Sequence, residues 1–431
     1  MFGAERLQSC RYEPNGEDSG FVESVRSEFV PFFFPKGSMN REAGYDAIGV
    51  EVTVLIKRRG RLRKSEAICL VCGKEMKDLG GSLEVCPECI RGRWEECEGR
   101  IQAIHSGSRE IFELPPVPPR SESGVLCNLC FNRCRMDEQG KGYCGIREGS
   151  EESLLKDGRT QARVSCYYDP LPTNCVADWV CPGGTGAGYP EYANDRGTEV
   201  GYYNLAVFFE ACNFNCLYCQ NWHFKKRGSS RQLWHPVDMV AGAVNRQTSC
   251  ICYFGGDPTP QLPYALLVSE RARRENPRRI LRICWETNGS MNPDWLKRMA
   301  KMSLDSGGCV KIDLKAWDPR IHKALCGCDN RQVLENFALL AKWIPLRPTP
   351  PLLVASTVLV PGYVDEEEIR NIASFIARLN PDIPYTLLAF APQFLMEDFA
   401  CTSKAQAEAC LEAARRAGLR RVRIGNQHFV Q

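Results

Sequence analysis

Three cysteines stand close together in the run Ala211-Cys212-Asn-Phe-Asn-Cys216-Leu-Tyr218-Cys219. The spacing, three residues and then two, lets one short loop present three thiolates to three corners of a cubane [4Fe–4S] cluster. The fourth iron then has no cysteine from the motif and is open to an outside ligand. A cluster that only carries electrons normally has every iron ligated, so the missing thiolate points to chemistry at the cluster. The plainer alternative is a zinc site whose fourth ligand lies elsewhere in the chain.

Two further cysteine groups lie upstream. Cys69-x2-Cys72-x13-Cys86-x2-Cys89 is a zinc-ribbon or rubredoxin-like pattern. Each pair sits on a tight turn, so four sulfurs can converge on zinc or a mononuclear iron. Such a closed site has no open position and is structural. Cys127-x2-Cys130-x3-Cys134-x9-Cys144 puts four sulfurs within 18 residues, for either an auxiliary iron–sulfur cluster or a structural zinc. Cys166, Cys175 and Cys181 either ligate a further cluster with a remote fourth residue or are inert thiols, and Cys326 and Cys328 are equally open. Cys250, Cys252, Cys284 and Cys309 alternate into candidate strands as core residues.

These groups need elements to hold them. From residue 200 onward, β-branched and aromatic runs alternate with helical patterns. Candidate strands are 204–210, 250–254, 280–286, 309–314, 353–359, 385–390 and 421–424. Candidate helices lie near 235–246, 261–276, 292–303, 330–342, 365–379 and 402–417. Repeated strand–helix units mean a parallel sheet with helices outside it. A closed eight-unit barrel takes about 250 residues, and 232 remain here, so the expected fold is α/β, a partial (βα)6-type TIM barrel. Upstream, 1–112 is expected to hold the four-cysteine site at about 65–95, 113–124 to be a Pro- and Ser-rich linker, 125–200 a cysteine-rich segment and 201–431 the core. An aromatic run at 29–35 and a strand from Ala47 to Arg59 complete the reading.

Composition narrows the function. There are 24 cysteines and five histidines, with a net charge of +3. That balance gives no support for bulk capture of nucleic acid or membrane. No apolar run is long enough to span a bilayer, and no export signal is visible. A reduced, cytoplasmic protein with thiolate-bound metal is expected.

Companions of the three-cysteine motif complete a family pattern. Gly255-Gly256-Asp257-Pro258 ends the second strand, Glu286-Thr287-Asn288-Gly289 the third, and Lys311-Ile-Asp313-Leu-Lys315 the fourth. With Val358–Gly362, Phe390, Pro392, Met396 and Gly425-Asn426, the chain resembles the radical S-adenosylmethionine superfamily. Within it, the chain is similar to the AmmeMemoRadiSam-type branch, itself similar to pyruvate formate-lyase activating enzymes. The resemblance covers about 205–428 and 125–146.

It implies that S-adenosylmethionine chelates the open iron of a cluster at Cys212, Cys216 and Cys219. One electron then splits the sulfonium into methionine and a 5′-deoxyadenosyl radical, which abstracts a hydrogen atom. Gly255, Gly256 and Asp257 would receive the cofactor's amino group, and Lys315 its carboxylate. Glu286, Thr287 and Asp313 would hold a monovalent cation. Asn288 would fix the loop or touch ribose. Tyr218 would either mark the backbone contact to adenine or be a packing ring. A reductant such as ferredoxin or flavodoxin is implied, and the substrate is a small molecule, a protein or glycyl site, RNA or lipid. The competing reading is a non-enzymatic iron–sulfur and zinc protein, an electron carrier or an RNA- or protein-binding module.

Overall fold

The computed structural model describes residues 67–76, 79–149, 160–173, 175–226 and 233–431. The aromatic run at 29–35 and the expected strand from Ala47 to Arg59 lie outside the described residues. Two short hairpins come first. β1 (Ala67–Ile68) pairs with β2 (Glu75–Met76), and β3 (Val125–Leu126) with β4 (Arg135–Met136). Between them run helices α1 (Pro87–Gly92) and α2 (Trp94–Glu110). The segment 113–124 is fastened at both ends: Arg109 Nε donates to Pro115 O at 2.7 Å, and Arg135 N to Pro119 O at 2.9 Å.

The remaining strands form one sheet: β5 (Gln161–Pro170), β6 (Tyr203–Phe209), β7 (Trp234–Pro236), β8 (Thr248–Gly255), β9 (Arg282–Thr287), β10 (Val310–Asp313), β11 (Leu353–Leu359), β12 (Tyr385–Ala389) and β13 (Val422–Gly425). Their order is β13-β12-β11-β10-β9-β8-β6-β5-β7. β6 and β8–β13 run parallel; at the β6 side β5 is added antiparallel to β6, and β7 antiparallel to β5. The order has two ends, so the sheet is an open, partial barrel. β5 pairs with β6 from Val164 to Pro170, so the core sheet extends upstream of residue 201.

After the short α3 (Pro182–Thr185), the crossovers are α4 (Val237–Gly242), α5 (Leu262–Glu275), α6 (Pro293–Ser306), α7 (Pro319–Cys326) with α8 (Arg331–Ala341), α9 (Glu366–Leu379) and α10 (Lys404–Arg416). Side-chain caps start several of them: Asn292 on Asp294 N, Asp318 on Arg320 N, Asp365 on Glu368 N and Ser403 on Gln406 N. Each offers an oxygen to an otherwise unpaired first-turn N–H.

Alternation sorts the strands into two faces. Ile251, Tyr253, Ile283, Trp285, Val310 and Ile312 are fully buried in the main core with the helices. The intervening positions carry Cys250, Cys252, Arg282, Cys284, Glu286, Lys311 and Asp313 on the inner face. Residues 175–200 cross that inner face. Trp179 Nε1 donates to Thr386 Oγ1 at 3.2 Å, and Arg423 pairs with Asp178. The buried Glu199 receives both ends of the Arg282 guanidinium, at 2.8 and 2.6 Å. Among the described residues, no helix is long and apolar enough to cross a membrane.

Candidate functional site

The three-cysteine loop leaves the C-terminal end of β6 and is pinned from several directions. Gly256 N donates to Phe209 O and Asp257 N to Ala211 O, both at 2.8 Å. Asn215 N and Leu217 N donate to the carbonyls of Cys326 and Leu325, at 3.0 and 2.9 Å. The glycine pair is dictated by this closeness. A Cβ on Gly256 would lie 2.2 Å from Ala211 O, and Gly255 has a φ of +111° with its Cβ position 2.7 Å from Phe209 N.

Burial raises the Cys212 thiol well above its usual value, with Asp257 adding to it, and brings Cys219 up to about 11. Cys216 goes the other way, to about 7. A hydrogen bond from Cys326 leads, burial opposes it, and the ammonium groups of Lys315 and Lys225 help. Three thiols of differing proton affinity thus share one loop beside two lysines.

The strand-end residues meet this loop. Asp257 is 2% exposed, and its carboxylate accepts from Thr259 N at 2.8 Å, Thr287 Oγ1 at 3.0 Å and Asn288 N at 2.7 Å. It therefore ties the loop after β8 to the loop after β9. Asn288 Nδ2 donates to Asn213 Oδ1 at 2.8 Å and lies 3.9 Å from Cys212 Sγ. The Gly255 carbonyl accepts from Asn221 Nδ2 at 3.1 Å. Tyr218 is buried edge-on against Phe390, its hydroxyl 4.0 Å from Cys326 Sγ.

Lys315 pairs with Asp313 at 2.8 Å, and Asp313 also accepts from Ser356 Oγ at 2.5 Å. Glu286 pairs with Lys311 at 2.9 Å. Both carboxylates expected to face a monovalent cation therefore face an ammonium of the chain itself.

Upstream, Cys69, Cys72, Cys86 and Cys89 bring their sulfurs within 4.8 Å of one another. The edges Cys69–Cys89 and Cys72–Cys86 are 3.9 and 3.8 Å. A tetrahedral ion bonded to sulfur at 2.3 Å needs edges of about 3.8 Å, so these four residues fit zinc or mononuclear iron. Burial resists ionisation of Cys69, but N–H groups of Cys86, Cys72 and Val71 outweigh it and hold the thiol at about 6.

Cys127, Cys130, Cys134 and Cys144 line one cavity with Asn213 and Pro260. Asn132 Nδ2 donates to Asn213 O at 2.9 Å, which joins this second group to the three-cysteine loop. Cys166 parts from Cys175 and Cys181: it packs against the main core, whereas those two join Ala177, Val180 and Cys309.

Several site residues carry no motif. Lys225 is 5% exposed. Its ammonium donates to Asn215 Oδ1 at 2.5 Å and lies over the Phe394 ring at 4.4 Å. No carboxylate pairs with it among the described residues, and burial holds its pKa down to about 8. His105, on α2, reaches the same loop: Nε2 meets Ala324 O at 3.0 Å and Nδ1 meets Asn215 Nδ2 at 3.1 Å. The only linear signal for Lys225 is its place six residues after Cys219.

Comparison with known proteins agrees with this geometry. Residues 206–376 match the model of the Radical SAM superfamily. The uncharacterised protein MJ0808 of Methanocaldococcus jannaschii is 24% identical over 71% of this chain and 82% of its own. The putative glycyl-radical enzyme activating enzyme MJ1632 of the same organism is 31% identical over 43% of this chain and 67% of its own. The pyruvate formate-lyase 1-activating enzyme of Escherichia coli is 25% identical over 38% of this chain and 63% of its own. With the matched region spanning β6 to α9 and the three-cysteine loop at its start, the chain belongs to the radical S-adenosylmethionine superfamily and is an enzyme.

Proposed function

We propose that the chain binds S-adenosylmethionine at a [4Fe–4S] cluster held by Cys212, Cys216 and Cys219, cleaves it reductively, and directs the 5′-deoxyadenosyl radical at a hydrogen atom of a partner protein. The observation that carries this reading is the set of three thiols at the end of the first parallel strand, on a loop pinned to the glycine loop at the end of β8 by Gly256 N–Phe209 O and Asp257 N–Ala211 O at 2.8 Å. A bound cluster supplies the electron that splits the sulfonium.

The chain's own residues hold the reactants. Lys315 exchanges its Asp313 partner for the cofactor's carboxylate. Backbone carbonyls of Gly255 and Gly256 receive the amino group, and the backbone beside Tyr218 meets adenine. Asp257 is a brace: it fixes Thr287 and Asn288, and Asn288 fixes Asn213 beside Cys212. Before the cofactor binds, Lys311 and Lys315 are the positive charges beside Glu286 and Asp313. Cys69, Cys72, Cys86 and Cys89 hold a structural zinc or iron, and Cys127, Cys130, Cys134 and Cys144 an auxiliary iron–sulfur cluster. The name of MJ1632, a putative glycyl-radical enzyme activating enzyme, supports a glycyl Cα–H of a partner enzyme as the hydrogen donor, with a ferredoxin- or flavodoxin-type reductant.

The test is anaerobic reduction of the full chain with dithionite and S-adenosylmethionine, reading 5′-deoxyadenosine. Cys212→Ala, Cys216→Ala or Cys219→Ala should each abolish the product. Full yield from the triple alanine variant would refute the assignment.

A further inference from the structure

The inner face of the sheet carries thiols that the reaction above does not use. β8, β9 and β10 are adjacent and parallel, and their register sets Cys252 opposite Cys284. Trp285 N donates to Cys309 O at 3.0 Å, which brings Cys309 level with Cys284. At a strand spacing of about 4.8 Å, three thiols form one transverse row. Cys175 and Cys181 descend on it from the crossing segment and pack beside Cys309.

Lys311, 3% exposed, points into the same space. Its Nζ lies 3.0 Å from Cys175 Sγ, 3.3 Å from Cys252 Sγ and 2.9 Å from Glu286. The Cys252–Cys284 register and the packing of Cys175 and Cys181 beside Cys309 bring five thiols to one part of the inner face.

An ordinary barrel interior is filled with branched aliphatic side chains. Here the row is thiols and a lysine. Cys252 and Cys284 each keep 8% of their surface accessible, while the outward Ile251 and Ile283 beside them keep none. The inner side therefore has room that the outer side lacks.

We infer that Cys175, Cys181, Cys252 and Cys284 form a further iron–sulfur site inside the sheet, with Lys311 as its counter-charge. Thiolate ligands select zinc, copper(I) or iron–sulfur clusters. A single ion requires sulfurs about 3.8 Å apart. Among the described residues only the Cys69–Cys89 group gathers three or more such ligand atoms within 4.8 Å. No three of the inner thiols gather that closely, which leaves a polynuclear cluster rather than a single ion. A thiolate-bound cluster is anionic, and the Lys311 ammonium is the cation beside two of its sulfurs, shared with Glu286, whose carboxylate accepts from Cys175 Sγ at 3.3 Å.

The inference does not rest on the proposed hydrogen abstraction. The test uses the full chain, reconstituted anaerobically with iron and sulfide. Cys175→Ser/Cys181→Ser should lose about four irons and four sulfides per chain, and Cys166→Ser, whose thiol faces the other side of the sheet, should lose none. The Cys69–Cys89 ion and the change in the core cluster's EPR signal on adding S-adenosylmethionine should persist. A second variant guards against misfolding: alanine at Cys127, Cys130, Cys212, Cys216 and Cys219 leaves the inner thiols intact and should still bind a cluster. Unchanged iron in the double serine variant, or no iron beyond one ion in the alanine variant, would overturn the inference. A parent that makes no 5′-deoxyadenosine yet shows the iron loss would sink the proposed reaction and leave this site standing.

Discussion

Lys315 and Lys225 approach the three-cysteine loop from different sides and have different surroundings. Lys315 already has a carboxylate, Asp313, at 2.8 Å, so binding a second carboxylate means sharing or exchanging it. Charge-assisted hydrogen bonds contribute roughly 1.5–3 kcal/mol, so Lys315→Ala should weaken S-adenosylmethionine binding by about tenfold to a hundredfold. The iron content should not change. The change in the reduced cluster's EPR signal on titrating the cofactor measures this, and unchanged affinity would put the carboxylate elsewhere. Lys225 has one hydrogen-bond acceptor and an aromatic face, with the three thiols as the nearest source of negative charge. Lys225→Met keeps the length and removes the charge. A reduced cluster gains an electron and needs that charge most, so the variant's reduction potential should be more negative. A redox titration followed by EPR checks this. An unchanged potential would make Lys225 a packing residue only.

At the scale of elements, α2 ties the upstream region to the loop through His105. Burial leads in lowering its pKa, the Ala324 carbonyl opposes it, and Lys225 and Arg109 add to it, leaving a value of about 4. Nε2 then donates to Ala324 O while Nδ1 accepts from Asn215. In the unfolded chain the imidazole titrates near 6.5. Above that pH neither state holds the proton, and stability is full. As pH falls from about 6.5 toward 4, the unfolded chain takes a proton that the folded chain refuses, so stability drops. His105→Gln keeps a donor and an acceptor but cannot titrate. Between pH 7.5 and 5.5 the parent should lose about 1 kcal/mol more than the variant in urea unfolding. Equal losses would mean that the folded protein accommodates the charged ring.

The elements themselves were legible to different degrees. The seven parallel strands could be read because outward positions such as Ile251, Tyr253, Ile283 and Trp285 are strongly apolar and β-forming, and helical patterns separate them. β5 could not, because Gln161–Pro170 mixes Cys, Tyr, Arg and Asp, and its pairing with β6 is a tertiary choice. α7, eight residues long, fell between two longer patterns. The glycine loop and strand ends could be placed from local motifs. The Lys311–Cys175 approach could not: the two residues are 136 positions apart, and only the crossing of the inner face brings them together. The same crossing separates Cys166 from Cys175 and Cys181, which spacing alone had grouped.

Across the whole molecule, the four-cysteine module is continuous with the three-cysteine loop. Tyr363 Oη donates to Val85 O at 2.8 Å, next to Cys86, and Arg91 at the end of α1 reaches Glu368 at 3.2 Å. Glu368, 1% exposed, also accepts from Trp317 N at 2.6 Å and Asp318 N at 3.1 Å. Asp318 caps α7, and the last carbonyls of α7, on Leu325 and Cys326, accept from Leu217 and Asn215 in the loop. Contacts alone do not establish coupling, but they say which amides should respond. Binding of a structural ion is coupled to the folding of its module, so losing one ligand should loosen α1 and release Arg91. Glu368 would then be a buried carboxylate without its guanidinium, a costly state. Cys72→Ser is the cleanest trigger, because Cys72 is the exposed member of the four. Hydrogen exchange should rise first in 69–92, then at Trp317 and Asp318, then at Asn215 and Leu217. Iron at the loop should stay, while affinity for S-adenosylmethionine weakens. Glu368→Gln breaks the same path without touching the ion, so it should reproduce the later changes and spare 69–92. If exchange in Cys72→Ser rises only in the module and the loop amides keep their protection, the module is an independent attachment and the path through α7 carries nothing.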